Sequence, residues 1–318
     1  MAVMGAGAGE HGHEPVMLGE VLAHLALKPG QRVMDCTAGR GGHAVELARA
    51  VSPGGMLIAL DVDPVNLKYA RGRVEGEAGA GIAEVEIRTF HANFAEAADV
   101  LAELQITGVD GLLADLGVST NQLLETKHGL SFNAEAPLDM RLDPRLKKKA
   151  SDLLAEWDEK RIATVLHEYA QERFAWKIAR KIIQTRQAEP ILTTGQLARL
   201  VRSVVPAKWG QIDPATRTFQ ALRMAVNGEL ESLRDFLASV PGMLNAGGRA
   251  VFISFHSGED RLVKQAVRQW EAEGLCEVLT KKPLEPGEAE CQRNPRSRSA
   301  KLRAVRWTGA GAMRENDQ

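Results

Sequence analysis

Residues 31–51, QRVMDCTAGRGGHAVELARAV, restrict the fold more than any other stretch of this chain. An apolar run of strand character closes on Asp35. Gly39, Gly41 and Gly42 then turn the backbone, and HAVELARAV continues with apolar residues at helical spacing. Glycine supplies the positive φ values and the close backbone approach that such a turn needs. The helix amino end behind it presents N–H groups without intrahelical acceptors. A strand, a glycine turn and a helix in that order belong to a parallel sheet covered by helices.

The pattern repeats along the first third of the chain. GMLIALD reads as a second strand ending at Asp61, and PVNLKYARGRV as a helix with Pro64 at its favoured first position. EVEIRTFH alternates as a third strand, and GVDGLLADLGVS supplies a fourth that carries Asp115 near its end. Residues 124–212 hold no convincing strand but several helical stretches, the longest in DEKRIATVLHEYAQERFAWKIARKIIQTRQ. A helix, NGELESLRDFLASVPGML, and a fifth strand, GGRAVFISFH, follow. The reading is therefore an α/β core made of residues 1–123 and 213–318, interrupted by a helical domain at 124–212, with residues 1–12 a flexible leader. That leader has neither the basic nor the apolar region of a secretory signal, and no apolar run reaches the roughly 18 residues of a membrane span. Three cysteines (Cys36, Cys276, Cys291) without a CxxC pair argue against a disulfide framework or a zinc site, so no metal is expected. They suit a reducing cytoplasm.

The acids define the ligand. Asp61 follows Gly42 by 19 residues and sits where a carboxylate can accept both hydroxyls of a ribose. Two cofactors fit so far. NAD would use Gly39-x-Gly41-x-x-Ala44. S-adenosylmethionine would use Asp35-x-x-x-Gly39-x-Gly41, with Asp35 facing its cationic methionine end. Asp35 and Asp115, both at carboxyl ends of strands, attract a cation and repel a pyrophosphate, which favours the methyl donor. The bland alternative is a tight turn in which Asp35 only caps the helix.

Ordered blocks along the chain carry a resemblance. HEPVMLGEVL, DCTAGRGGH, LDVDP, DLGVSTNQL, GLSFN, PLDMRLD, ERFAWKIARKI, PATRTFQALRMAVNGEL, GGRAVFISFHSGEDR and NPRSRSAKLR follow one another from His13 to the region of Trp307. Together they resemble the bacterial ribosomal RNA small-subunit methyltransferase H family, also called MraW. The resemblance implies a class I Rossmann-like S-adenosylmethionine-dependent methyltransferase core with an inserted helical domain. It implies transfer of a methyl group from S-adenosylmethionine to the N4 amine of one cytidine in the decoding region of small-subunit rRNA. It places cofactor contacts on Gly41, Gly42, His43, Asp61, Phe94, Asp115 and Gln122, beside Asp35 and Gly39 from the loop. This chain departs from the family at Ala38, where an aromatic is usual, at Asn121, where proline is common, and at Gly258, where leucine is expected.

The reaction asks for little covalent chemistry. The N4 lone pair is delocalised into the cytosine ring, so the enzyme must hold the amine in line with the methyl group and accept its proton. Asp139 in PLDMRLD and His256 in ISFHS are the candidate acceptors, with Ser254 behind them. Asp139 is preferred because a carboxylate accepts without a tautomer constraint; its bland reading is a pair with Arg141. Phe132 is a candidate to stack an extruded base. Arg173, Lys177, Arg180, Lys181 and Arg186 are candidates to grip phosphates, as is the segment 281–306, which has eight basic residues against three acidic ones. The expected partner is small-subunit rRNA within the ribosomal subunit, with no membrane; a homodimer is left open. The competing readings are an NAD(P)-dependent oxidoreductase and a nonenzymatic RNA-binding assembly factor on the same fold.

Overall fold

The computed structural model describes residues 15–77, 81–125, 128–206 and 212–309; the expected leader at 1–12 lies outside them. The elements run in the order α1 (Leu18–Leu25), β1 (Arg32–Asp35), α2 (Gly42–Val51), β2 (Met56–Asp61), α3 (Pro64–Gly76), β3 (Glu86–His91), α4 (Ala97–Glu103) and β4 (Val109–Asp115). Then come α5 (Thr120–Leu124), α6 (Ala150–Glu156), α7 (Glu159–Ala170), α8 (Ala175–Ala188), α9 (Thr194–Val204), α10 (Thr216–Asn227) and α11 (Glu229–Ser239). The chain closes with β5 (Leu244–Ser254), α12 (Ser257–Ala272), β6 (Cys276–Val278), α13 (Glu288–Arg293) and β7 (Lys301–Trp307). Two compact units emerge: Met1–Gly117 with Ser232–Gln318, and Val118–Glu231.

The first unit is one seven-stranded sheet in the order β3-β2-β1-β4-β5-β7-β6. Strands β1 to β5 pair in parallel, with Asp35 opposite Ala59 and Leu113, and Asp115 opposite Ile253. β1 pairs with both β2 and β4, so the winding direction reverses there and opens a crevice at the carboxyl ends of the strands. Neighbouring residues on each strand enter opposite layers, as the two-residue period of a strand demands. Met34, Ile58, Leu112 and Phe252 join one buried cluster with Phe236, Trp270 and Trp307. Val33, Leu57, Leu113, Val251 and Ile253 join the other, with Val45, Leu47 and Val51 of α2.

Strands β6 and β7 extend the sheet beyond the expected five. β7 runs antiparallel to β5 and to β6. The sequence KLRAVRW reads as part of a basic tract, yet Leu302, Ala304, Val305 and Trp307 are buried and Arg303 is 7% exposed. Arg303 reaches Asp260 on α12 at 2.9 Å. Its charge serves the fold.

The helical unit has its own core, in which Leu153, Ile162, Leu166, Ile178, Ile182, Leu197, Val201 and Leu222 meet. α7 packs against α8 and α10, and α8 against α9. The division falls at 117/118 and 231/232 rather than at 123/124 and 212/213. α10, which the sequence reading gave to the core domain, contributes Phe219, Ala221, Leu222 and Val226 to the helical core. Helical periodicity marks an apolar face but not which core that face will enter.

Candidate active site

The glycine turn is built by the left-handed residues Gly39 (φ 52°) and Gly41 (φ 78°), the latter preceding the first turn of α2. A Cβ on Gly41 would lie 2.9 Å from the Ala70 Cα, so the approach to α3 also demands glycine there. No side chain caps α2 at Gly41. The turn is tied down from two sides. Asp61 Oδ2 accepts the Gly39 N–H at 2.7 Å, and Asp61 Oδ1 accepts that of Asp63 at 2.8 Å. Thr37 donates its N–H to Asp35 Oδ1 at 3.1 Å, while its Oγ1 accepts the Asp115 N–H at 2.7 Å.

Asp35, Asp61 and Asp115 thus stand at the carboxyl ends of β1, β2 and β4, around the reversal point of the sheet. All three carboxyls resist ionisation. Burial pushes Asp35 up to about 7, against the lowering effect of the Thr37 amide and with the charge of Asp61 adding to it. Burial raises Asp61 to about 6, partly offset by the Asp63 and Gly39 amides. Burial, then the charges of Asp35 and Glu259, hold Asp115 well above the ordinary carboxylate range. Asp35 Oδ2 and Asp115 Oδ1 are buried without a hydrogen-bond partner among the described residues. Buried acceptors of this kind are costly unless something occupies them.

His43, 6% exposed, lies on α2 beside this cluster. Its Nε2 meets the Val16 carbonyl at 3.0 Å; a carbonyl only accepts, so that nitrogen carries the proton. Its Nδ1 faces Asp115 Oδ2 at 3.7 Å. Phe94 follows β3, half-buried, and meets Phe236 edge to face at 5.5 Å. Asn93, Glu96 and a capping box hold the short turn that carries it.

Gln122 and Asp139 belong to the helical unit. Gln122 is 4% exposed, and its Oε1 accepts the Ser119 N–H at 3.1 Å, closing the amino end of α5. Asp139 is gripped by Arg141 through Nε at 2.6 Å, Nη2 at 2.8 Å and the backbone N–H at 3.2 Å. Burial works to raise its carboxyl, but the Arg141 bonds and charge prevail and lower it below the usual range. The surrounding loop is strapped by Met140 N–H to the His128 carbonyl at 2.7 Å and Ala150 N–H to the Asp139 carbonyl at 2.7 Å.

His256 caps α12. Its Nδ1 accepts the Glu259 N–H at 3.3 Å, and its Nε2 stands 3.1 Å from Glu259 Oε1. Glu259 in turn accepts the N–H groups of Phe255 and His256 at 2.8 and 3.3 Å. Nδ1 is therefore engaged as the cap, whereas Nε2, near as it is to that carboxylate, makes no hydrogen bond among the described residues. Ser254 is 2% exposed and reaches the Lys301 carbonyl at 3.4 Å. Among the expected phosphate contacts, Arg186 turns inward and donates to the carbonyls of Leu154 and Trp157 at 2.5 and 2.6 Å. Arg296 and Arg298 are exposed.

Thr37 and Glu259 were not singled out by sequence reasoning. Thr37 stands two residues after Asp35, the spacing of an Asx turn, and Glu259 stands three after His256, the spacing of a capping box. Those local signals were present. That Thr37 also bridges to β4 was not local at all.

The sequence profile described as the MraW methylase family matches residues 10–308. A protein named Ribosomal RNA small subunit methyltransferase H from Acidobacterium capsulatum is 44% identical over 297 residues, spanning 92% of this chain and 97% of that protein. Proteins of the same name from Symbiobacterium thermophilum and Geobacter sulfurreducens are 42% and 43% identical over 316 and 312 residues. These span 94% and 92% of this chain, and 98% of each relative.

Proposed function

The chain belongs to the MraW methylase family, and from that premise we propose that this methyltransferase methylates the N4 amine of a cytidine in the decoding region of small-subunit rRNA. Its core is a Rossmann-like methyltransferase fold. The observation that carries the cofactor reading is the trio Asp35, Asp61 and Asp115, with buried, unpartnered oxygens on the first and last. A cationic ligand satisfies those oxygens; the pyrophosphate of a dinucleotide would be repelled by them. S-adenosylmethionine, when bound, supplies a methyl group on a sulfonium.

Asp35 and Asp115 would face the cationic end of that ligand, and His43, fixed by Val16 and 3.7 Å from Asp115, would be a further contact beside them. Asp61 holds the glycine turn. Its two backbone bonds and a third from Asn66 leave about one of its roughly four acceptor directions for a ribose hydroxyl. Phe94 would offer its ring to the adenine. Gln122, whose Oε1 accepts the Ser119 N–H, is proposed as a further cofactor contact on the family resemblance alone.

On the RNA side, Asp139 is the proposed proton acceptor. Arg141 keeps it ionised and makes it a weak base, but an aryl amine becomes strongly acidic once its nitrogen gains a methyl group and a positive charge. A weak carboxylate base suffices for such a proton. Three bonds from Arg141 leave about one acceptor direction on Oδ2, the oxygen that Lys149 Nζ faces at 3.8 Å. His256 would have to surrender the α12 cap to take that part, so its proposed role is positioning.

The substrate implies a cytoplasmic location in a bacterial cell. Among the described residues no helix is long and apolar enough to cross a membrane. The test is modification mapping of rRNA from cells with and without the protein, alongside transfer of labelled methyl groups to purified small subunits. Loss of one N4-methylcytidine on deletion is expected. An unchanged cytidine map, or transfer to a different atom, would overturn the reading. Retained rRNA association without transfer would favour the assembly factor.

A further inference from the structure

Helix α8 carries a face that the fold does not use. Its 14 residues, AWKIARKIIQTRQA, contain four basic side chains and no acidic one. Ala175, Ile178, Ala179 and Ile182 are buried in the helical core. At 100° per residue these occupy one arc, and Trp176, Lys177, Arg180, Gln184 and Gln187 occupy the opposite one. All five are exposed, as is Arg173 just before the helix.

Trp176 is the unexpected member. It is 57% exposed, and the other large exposed apolar side chains among the described residues, Val65, Leu192 and Ile212, are aliphatic. A tryptophan so exposed forgoes the largest burial gain any side chain offers. Its neighbours at one and four residues are Lys177 and Arg180. Arg180 has only an exposed 3.3 Å contact with Glu159, of the kind that contributes little. Lys177 Nζ lies over the Phe174 ring, 5.6 Å from its centroid, a contact that leaves its charge unneutralised, so Trp176 is flanked by two cations that are only weakly engaged.

We propose that this face of α8 is a platform for unpaired RNA, on which Trp176 stacks one base while Arg173, Lys177 and Arg180 hold adjacent phosphates. The proposal rests on the reading of an rRNA substrate and adds to it a second point of grip, outside the acceptor cytidine. An aromatic between cations is the chemistry of single-strand recognition: every base offers a π face, and the backbone offers regular negative charge. A duplex stacks its bases internally and would engage only the cations. An acidic protein partner would use the arginines but has no general need for the ring.

The experiment compares the parent with W176A, W176F and the double variant K177A/R180A. Probes are an unpaired RNA of about twelve nucleotides, within the span such platforms cover, a duplex of equal length, and small subunits lacking the methyl mark. The parent's tryptophan fluorescence should be quenched by the unpaired RNA. W176F should bind it within a few-fold of the parent but lose most of that quenching. W176A should bind it about tenfold more weakly, with duplex binding unchanged. K177A/R180A should lower the salt slope for both probes by up to about two. S-adenosylmethionine binding should be the same in all four proteins. On subunits, W176A should raise KM and leave kcat unaltered.

Equal affinity of W176A and parent for unpaired RNA would overturn the proposal, as would equal losses on unpaired RNA and duplex. So would a parent that sediments as a dimer which W176A dissociates without loss of RNA binding, since the face would then belong to a second copy. A parent that fails to methylate subunits refutes the substrate reading itself. A parent that methylates them with the same KM as W176A refutes only the platform.

Discussion

Replacing Asp35 by asparagine separates the cost of the acidic cluster from its use. In the free protein the carboxyl titrates at about 7 rather than the ordinary 3.8. A raised carboxylate pKa means that the native state binds more protons than the unfolded chain between those two values. Stability therefore falls as pH rises through that window and levels off above about 7. Each pKa unit corresponds to about 1.4 kcal/mol, so the full penalty at pH 8 is up to about 4 kcal/mol. Asparagine keeps the shape and can still accept the Thr37 N–H, but it cannot ionise. D35N should thus be more stable than the parent at pH 8, and close to it at pH 4. Cofactor binding should move the other way. The cationic ligand needs the carboxylate, so parent affinity should fall about tenfold from pH 8 to pH 6 as Asp35 takes up its proton. D35N should bind S-adenosylmethionine weakly at pH 8, by roughly the 1.5–3 kcal/mol of a lost charged hydrogen bond, and should lack Asp35's share of the pH dependence. Urea unfolding at the two pH values and titration calorimetry at pH 6, 7 and 8 measure both. A D35N protein destabilised at pH 8, or one that keeps the parent's slope of affinity against pH, would refute the reasoning.

D61A should lower cofactor affinity at least tenfold, from loss of a charged acceptor, and should speed amide exchange at Gly39 and Asp63, whose N–H groups lose their partner; calorimetry and hydrogen exchange report the two effects separately. D139N should slow single-turnover methylation by about 10²–10⁴-fold with cofactor and RNA affinity little changed, whereas H256A should mainly cost about 1 kcal/mol of stability through the lost α12 cap. Rapid-quench kinetics with thermal unfolding distinguishes these, and a collapse of rate in H256A alone would move the acceptor to that residue. Alanine at both Arg296 and Arg298 should weaken RNA binding and reduce its salt slope by up to about two, leaving cofactor binding intact; an unchanged slope in a salt titration would assign them to structure.

The sequence by itself determined the parts that depend on neighbours along the chain. Apolar runs and alternation marked strands within 31–37, 55–61, 84–91 and 108–119, and the ends of those strands put Asp35, Asp61 and Asp115 at one edge of a parallel sheet. Gly39 and Gly41 were legible because a left-handed turn excludes almost every other residue there. The helical insertion was legible as a block for the same reason: periodicity and turn residues are local. Tertiary structure decided what those segments meet. It gave α10 to the helical core, because an apolar stripe does not name its partner. It turned KLRAVRW into a strand, because Asp260 could neutralise Arg303 from a helix some 40 residues earlier in the chain. It set Arg141 on Asp139, made a helix cap of His256, and pointed Arg186 at two carbonyls while leaving Trp176 in solvent. Charge and residue type are properties of the sequence, but whether a charge is spent inside the fold or kept for a ligand depends on distances that only packing fixes.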